Sequence, residues 1–276
     1  MSLKEDYKYC QEIIKENSKT FYKAFSLLNK EKANAVYAVY AFCRVVDDSI
    51  DIYNSPDRLQ RLEKQLKDFE KGNVPNEPLW RALEDVFGKF NMETKPFYEM
   101  IEGQKMDIEY SQPKTQKDLL NYCYYVAGTV GNMLLPILAS RKINKINVEK
   151  IKLGEAMQIT NILRDIGEDY ENGRIYIPVD IMKKYNYTKE DLKNKIINDN
   201  FKEMWEYEAK QSQKMYDDFY SFIDYFDEDS KKPVLASAKL YNAILDSVRE
   251  NDYDCLNKKN YVNNIQKMKI ISKIKT

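Results

Sequence analysis

Apolar side chains recur every three to four residues through most of the chain, and no stretch alternates with the period of a strand, so the pattern predicts an all-α protein. A first helix spans residues 4 to 16, with Tyr7, Cys10, Ile13 and Ile14 on its apolar face. The polar run Asn17-Ser18-Lys19-Thr20 interrupts the pattern before Phe21 and Phe25, which should share a face. A long buried helix is predicted from Ala33 to about Asp51, a run without glycine or proline. Ser55-Pro56-Asp57 reads as the start of a helix reaching about Glu70, with Ser55 as N-cap and Pro56 at the first helical position. A loop over Gly72 to Pro78 leads to helices from Leu79 to Phe90 and from Lys95 to Tyr110, the latter with Gln104, Asp107 and Tyr110 on one face. Lys117 to Leu138 is predicted as one mostly apolar helix, and Val148 to about Tyr170 as another, ended by Gly173. Extended chain from Arg174 to Pro178 precedes helices near Lys189 to Ile197, over Phe201 to Phe226 and over Lys232 to Asn251. No repeat or low-complexity linker divides the chain, so residues 1–276 are expected to form a single helical domain.

Two of these helices carry acids where acids are costly. In the first, Tyr40, Arg44, Asp47 and Asp51 fall within an arc of roughly 60°, with Asp48 beside them. Carboxylates at i and i+4 can hold a hard divalent cation, or they can be a solvated helix end with Arg44 paired to an aspartate. In the second, Gln158, Asn161, Asp165 and Asp169 make a polar stripe opposite Ile159, Ile162 and Ile166. That ladder of side-chain oxygens allows the same two readings. Between the two helices in sequence, Gly128 and Gly131 interrupt an apolar run, either for close helix packing or to leave room for a long apolar ligand. The hydroxyls and lysine of residues 17–20 suit either an ordinary N-cap or a phosphate.

Composition narrows the chemistry. Histidine is absent, which excludes Ser-His-Asp and Cys-His catalysis and His-ligated zinc or haem. Four scattered cysteines without a C-x-x-C pair argue against zinc ribbons and disulfides, so a cytoplasmic setting is expected. Lys+Arg and Asp+Glu are equal at 44 each, and net charge gives no reason to expect nucleic acid as a partner. The N-terminus is charged and lacks a signal-peptide core, and the longest nearly uncharged run, Val126 to Ala139, is too short to span a bilayer. Residues 258–276 hold six lysines and no acid among apolar residues, either a terminal helix with one packed face or a segment touching a membrane surface.

Taken together, the two acidic helices could clamp Mg²⁺ across a diphosphate and make it a leaving group. An allylic chain behind it would leave a carbocation, which needs a dry cavity lined with ring faces. The chain resembles the squalene/phytoene synthase family of head-to-head isoprenoid synthases, and within it the bacterial dehydrosqualene (4,4'-diapophytoene) branch. The resemblance runs from about Tyr9 to about Arg249. It rests on Ser18-Lys19-Thr20-Phe21, on Tyr40-x-x-Cys43-Arg44-x-x-Asp47-Asp48-x-x-Asp51 and on Val126-Ala127-Gly128-Thr129-Val130-Gly131. It rests also on Gln158-x-x-Asn161-x-x-Arg164-Asp165-x-x-Glu168-Asp169 followed by Arg174-x-Tyr176.

What this resemblance implies is an isoprenoid synthase fold with a central apolar cavity and the acidic helices facing across its mouth. By the same resemblance, Asp47, Asp48, Asp51, Asn161, Asp165 and Asp169 match the metal-binding positions, for more than one Mg²⁺. Asn17, Ser18, Lys19, Thr20, Phe21, Tyr40, Arg44, Gln158, Arg164, Arg174, Tyr176 and Tyr241 are the expected substrate contacts. Asn17 departs from the histidine common in relatives, which weakens the phosphate contact there. The implied reaction joins two prenyl diphosphates, C15 farnesyl chains before C20 geranylgeranyl chains, through a cyclopropylcarbinyl diphosphate. Asp47, Asp51, Asp165, Asp169 and Arg44 carry the ionisation; without histidine, the released diphosphate or a tyrosine, Tyr122 being the candidate, takes the last proton. Proton loss gives dehydrosqualene or phytoene, whereas capture of hydride from NADPH, which is not expected here, gives squalene. Other outcomes are hydroxysqualene or a catalytically idle scaffold subunit. Phe21, Phe25 and Tyr37 are expected to plug the cavity and set chain length.

Overall fold

The computed structural model describes residues 2–141, 147 and 150–274, and no strand occurs among them. Helix α1 (Leu3–Asn17) runs up to Ser18, whose side chain caps the short α2 (Lys19–Phe25) by accepting from the Phe21 amide. The polar run at 17–20 is thus a change of helix. Helix α3 (Lys30–Asp51) begins three residues earlier than the apolar pattern suggests, because Asn29 accepts from the Lys32 amide at 3.0 Å. Helix α4 (Pro56–Glu70) starts on Ser55 and Pro56, and α5 (Pro78–Lys89) and α6 (Lys95–Ile108) follow with short loops.

The predicted helix over 117–138 is present as three joined pieces. Helix α7 (Gln116–Cys123) widens into a π turn, Tyr124–Gly128, and resumes as α8 (Thr129–Leu138). A single inserted residue in the hydrogen-bond ladder is invisible to apolar periodicity, and such turns often mark functional positions. Across from the turn, Gly154 lets a second helix come close: a Cβ there would lie 2.3 Å from the Ala127 carbonyl oxygen. The second acidic helix also differs from expectation. Its predicted start at Val148 lies outside the described residues; helix is present from Leu153, as α9 (Leu153–Arg164), and breaks at Asp165 before α10 (Ile166–Glu171). Tertiary contact replaces the local helix bond there: the Gly167 amide donates to the Cys255 carbonyl at 3.1 Å. A Cβ on Gly167 would meet the Leu256 oxygen at 2.2 Å.

Two short helices, α11 (Val179–Lys184) and α12 (Lys189–Lys193), lead to the long α13 (Asp199–Tyr220), which stops six residues short of Phe226 and gives way to a 3₁₀ turn at Ile223–Tyr225. Helix α14 (Glu228–Glu250) and the terminal α15 (Asn264–Ser272) complete the chain. One hydrophobic cluster gathers around α1, α3, α5 and α6, with Phe42, Trp80 and Phe97 fully buried; a second surrounds α9 and α13, with Phe201 and Trp205. Each buried side chain of this size contributes about 1.5–3 kcal/mol. The first cluster anchors α3 and takes in Ala156 and Met157 from the start of α9, while the second anchors the rest of α9 through Ile159, Ile162 and Leu163. Among the described residues no helix is long and apolar enough to cross a membrane.

Candidate active site

Where the two cores meet, a polar cleft of about 210 Å³ is lined by Asp47 and Asp51 from α3, Gln158 and Asn161 from α9, and Asp165 and Asp169 around the helix break. Helix α6 adds Gln104 and Asp107, and the cleft is completed by Tyr122, Arg174 and Tyr176. Gln104 donates to Asp47 at 2.7 Å. The Arg174 guanidinium donates to Asp51 at 3.1 Å and lies 4.0 Å from Asp107. Both tyrosine hydroxyls donate to Asp107, Tyr122 at 3.0 Å and Tyr176 at 3.1 Å, and their rings stack 4.9 Å apart.

The cleft is short of positive charge. Burial, followed by the neighbouring Asp51 charge, pushes the Asp47 carboxyl well above the usual carboxylate range, with Arg44 opposing. Asp169 is pushed up to about 7 by burial and then by Asp165 and Glu168, against Arg174 and Arg164. Asp107 is raised chiefly by burial. The Tyr122 hydroxyl is likewise raised far beyond its ordinary value by burial, next to Tyr176 and Asp107, and stays protonated.

Among the described residues no three carboxylates converge on one point where a single ion would sit. The cleft's carboxylates come from two rows, Asp47 with Asp51 and Asp165 with Asp169, and the buried Asn161 Oδ1 has no hydrogen-bond partner. Side-chain oxygens lining one cleft, with Asp47 and Asp169 raised in proton affinity, suit hard cations whose remaining ligands come from a bound anion.

A second cavity, of about 630 Å³, opens off the first and shares Asp47, Val126, Gln158 and Asn161 with it. Its near end holds Asn17, Ser18, Lys19, Thr20, Arg44 and Arg164; its far end is apolar, closed by Phe25, Leu135, Leu138, Phe219, Phe226 and Val234. Between them the rings of Phe21 and Tyr241 stack 5.0 Å apart, with Tyr40 edge-on to Phe21 at 6.4 Å. Gly131 lines this cavity with nothing within 4 Å of where its Cβ would be, whereas Gly128 backs onto Glu155. Both readings of the glycines are therefore realised, one at each position.

Two expectations need correction. Tyr37 does not reach the cavity; it is buried, 3% exposed, against Tyr22. Asp48 is turned aside from both cavities and engages Arg44 in an i, i+4 ion pair. Of the residues that sequence reasoning left out, Gln104 and Asp107 were signalled by their shared polar face. The C-terminal residues Lys259, Asn260, Tyr261, Val262 and Lys267 also line the larger cavity. Lys267 donates to Thr20 at 3.1 Å, and burial together with Lys23 and Lys19 lowers its affinity for its proton. Lys259 lies 3.5 Å from Asp165 and 2.8 Å from Glu168. Only the concentration of lysines at this end of the chain hinted at such a role.

Comparisons with known proteins agree in one direction. The squalene/phytoene synthase family model matches residues 14–266. The chain is 35% identical to 4,4'-diapophytoene synthase of Staphylococcus haemolyticus (strain JCSC1435), over 99% of this chain and 98% of that one. It is 37% identical to the chloroplastic phytoene synthase 2 of Oryza sativa subsp. japonica, over 96% of this chain and 69% of the relative. A crystal structure of a dehydrosqualene synthase in complex with ligand superposes with a TM-score of 0.92 at 45% identity, covering 98% of this chain and 95% of that chain.

Proposed function

This chain belongs to the squalene/phytoene synthase family, prenyltransferases of isoprenoid and carotenoid biosynthesis that act on prenyl diphosphates, and we propose that it joins two farnesyl diphosphates head to head to give dehydrosqualene. One observation carries this reading: a carboxylate-lined cleft and an apolar, ring-lined cavity share Asp47, Val126, Gln158 and Asn161 as a common wall. A molecule with a charged head and a long apolar tail fits that pair of compartments. The likeness to a diapophytoene synthase and a dehydrosqualene synthase supports the C15 chain length.

Asp47, Asp51, Asn161, Asp165 and Asp169 would hold Mg²⁺, which supplies the charge neutralisation that makes a diphosphate a good leaving group. The chain's own cations do the rest of the binding. Arg44 and Arg164 bracket the shared wall, Arg174 and Tyr176 face the cleft, and Ser18, Lys19 and Thr20 with Lys267 form a second cationic corner for the other diphosphate. Phe21, Tyr40 and Tyr241 present ring faces where the allylic cation forms, while the apolar far end excludes water from it.

The first chain loses diphosphate, and its allylic carbon bonds to the double bond of the second chain. Loss of one proton, to the diphosphate just released, closes the cyclopropane of presqualene diphosphate. Its diphosphate then leaves, the skeleton rearranges, and loss of a second proton gives the triene. Tyr122, from the cleft wall, would accept that proton on oxygen while its own passes to Asp107 Oδ2 at 3.0 Å. The raised proton affinity of Asp107 suits it to receive one.

A second reading, condensation of two C20 chains to phytoene, draws on the identity to the rice phytoene synthase. The deciding experiment is incubation of the purified chain with Mg²⁺ and each prenyl diphosphate, without NADPH, followed by mass analysis of the hydrocarbon. Dehydrosqualene from farnesyl diphosphate is the expected product. Product from geranylgeranyl diphosphate alone would overturn the chain length, and no hydrocarbon from either would overturn the function.

A further inference from the structure

Helix α15 is apolar on both sides. Ile271 and Ile274 turn inward onto Ala24 of α2 and Ala236 of α14, and Lys267 points in to Thr20. At about 100° per residue, Ile265, Met268, Lys269 and Lys273 share the opposite arc. There Ile265 is 75% exposed and Met268 56%, with Tyr261 just before the helix at 73%. Surface helices of proteins that meet only water rarely place such residues outward together.

Two further facts define what covers this face. The first is charge: Lys258 through Ile274 contains no acid, Lys269 and Lys273 are exposed, and the neighbouring α2 adds exposed Lys19 and Lys23. A second copy seated here about a two-fold axis would bring those lysines against their own equivalents, which is repulsive. An anionic lipid surface is complementary to the lysines, and it accepts the apolar side chains between them. The second is location: Tyr261 and Val262 line the 630 Å³ cavity, so the patch lies at its rim.

We propose that the outward face of α15, Ile265 and Met268 flanked by Lys269 and Lys273, docks the enzyme on an anionic phospholipid bilayer. The cavity rim is thereby brought against the lipid. The inference deepens the proposed function and rests on it for its purpose, since a C30 hydrocarbon leaves far more readily into acyl chains than into water. The docking itself does not depend on turnover and is measured without it.

The experiment sediments the full chain, free of substrate, with phosphatidylcholine vesicles that contain or lack phosphatidylglycerol. Binding is expected only with the anionic lipid and should weaken as salt rises. Replacing Lys269→Glu and Lys273→Glu should each weaken it by roughly fivefold or more. Ile265→Asp with Met268→Asp should weaken it by about tenfold or more at unchanged lipid charge. All four side chains point away from the core, so thermal melting and turnover in detergent should match the wild type. A chain that ignores anionic vesicles, or variants that bind as well as the parent, would overturn the proposal. So would self-association in ultracentrifugation that Ile265→Asp abolishes, since that assigns the face to a second copy.

Discussion

The two acid rows offer the same side-chain oxygens on different kinds of backbone. In α3, Asp47 and Asp51 ride one unbroken helix, and each has a donor from another element, Gln104 at 2.7 Å and Arg174 at 3.1 Å. The other row straddles a break at Asp165, where Arg164 and Lys259 supply the positive charge and the strap at 255–256 fixes α10. The first row is set by helix geometry and the second by a tertiary contact. Two rows built so differently should respond alike to loss of a carboxylate and unlike to a change in backbone support.

The largest effect tests the likeness. Asp47→Ala and Asp165→Ala should each lower hydrocarbon formation from farnesyl diphosphate by roughly 10³-fold, as loss of a charge at a developing leaving group does. The melting temperature should hold for Asp47→Ala, whose side chain is buried beside other carboxylates, and fall modestly for Asp165→Ala, which loses its ion pairs with Arg164 and Lys259. A rate within tenfold of wild type for either variant would remove that row from the chemistry.

The next tests the difference. Gly167→Ala forces a Cβ to within 2.2 Å of the Leu256 oxygen, and overpacking of this kind costs about 1–3 kcal/mol. In α3 the matched change, Ser49→Ala, loses a 2.8 Å bond to the Val45 carbonyl within the helix and should cost under about 1 kcal/mol. Chemical unfolding of both variants checks the ordering; equal costs would mean the strap is not what holds the second row.

The smallest effect concerns protons. Asp169 has its folded pKa raised from 3.8 to about 7, so between those values the folded chain holds a proton that the unfolded chain has already lost. Its contribution to stability is therefore complete in acid and lost as pH rises from about 4 through about 7. In chelator-treated protein, the difference in melting temperature between wild type and Asp169→Asn should move against the wild type across that window. A flat difference would show that burial and the neighbouring carboxylates do not raise Asp169.

How much of this could be read from the chain differs between the rows for the same reason. The first row follows from period alone: Tyr40, Arg44, Asp47 and Asp51 lie on one arc of a helix that has no breaker. The stripe Gln158, Asn161, Asp165 and Asp169 also shows in the sequence, but its continuity as a helix does not survive. Nothing local announces the break, because its cause is the backbone of residues 255–256, some ninety positions away in sequence. The π turn escaped for a related reason, since Gly103 and Gly154 admit their neighbours without leaving an apolar signature. Lys259 and Lys267 look like ordinary surface lysines until the chain end is seen folded over the cavity.

The wall shared by the two cavities sets a direction of travel. In the proposed reaction a substrate's diphosphate tethers it at its head on the carboxylate side of that wall, with the tail in the apolar compartment. Once the last diphosphate has left and the last proton is lost, the hydrocarbon has no charged head to hold, so the chemistry that makes the product also removes its tether.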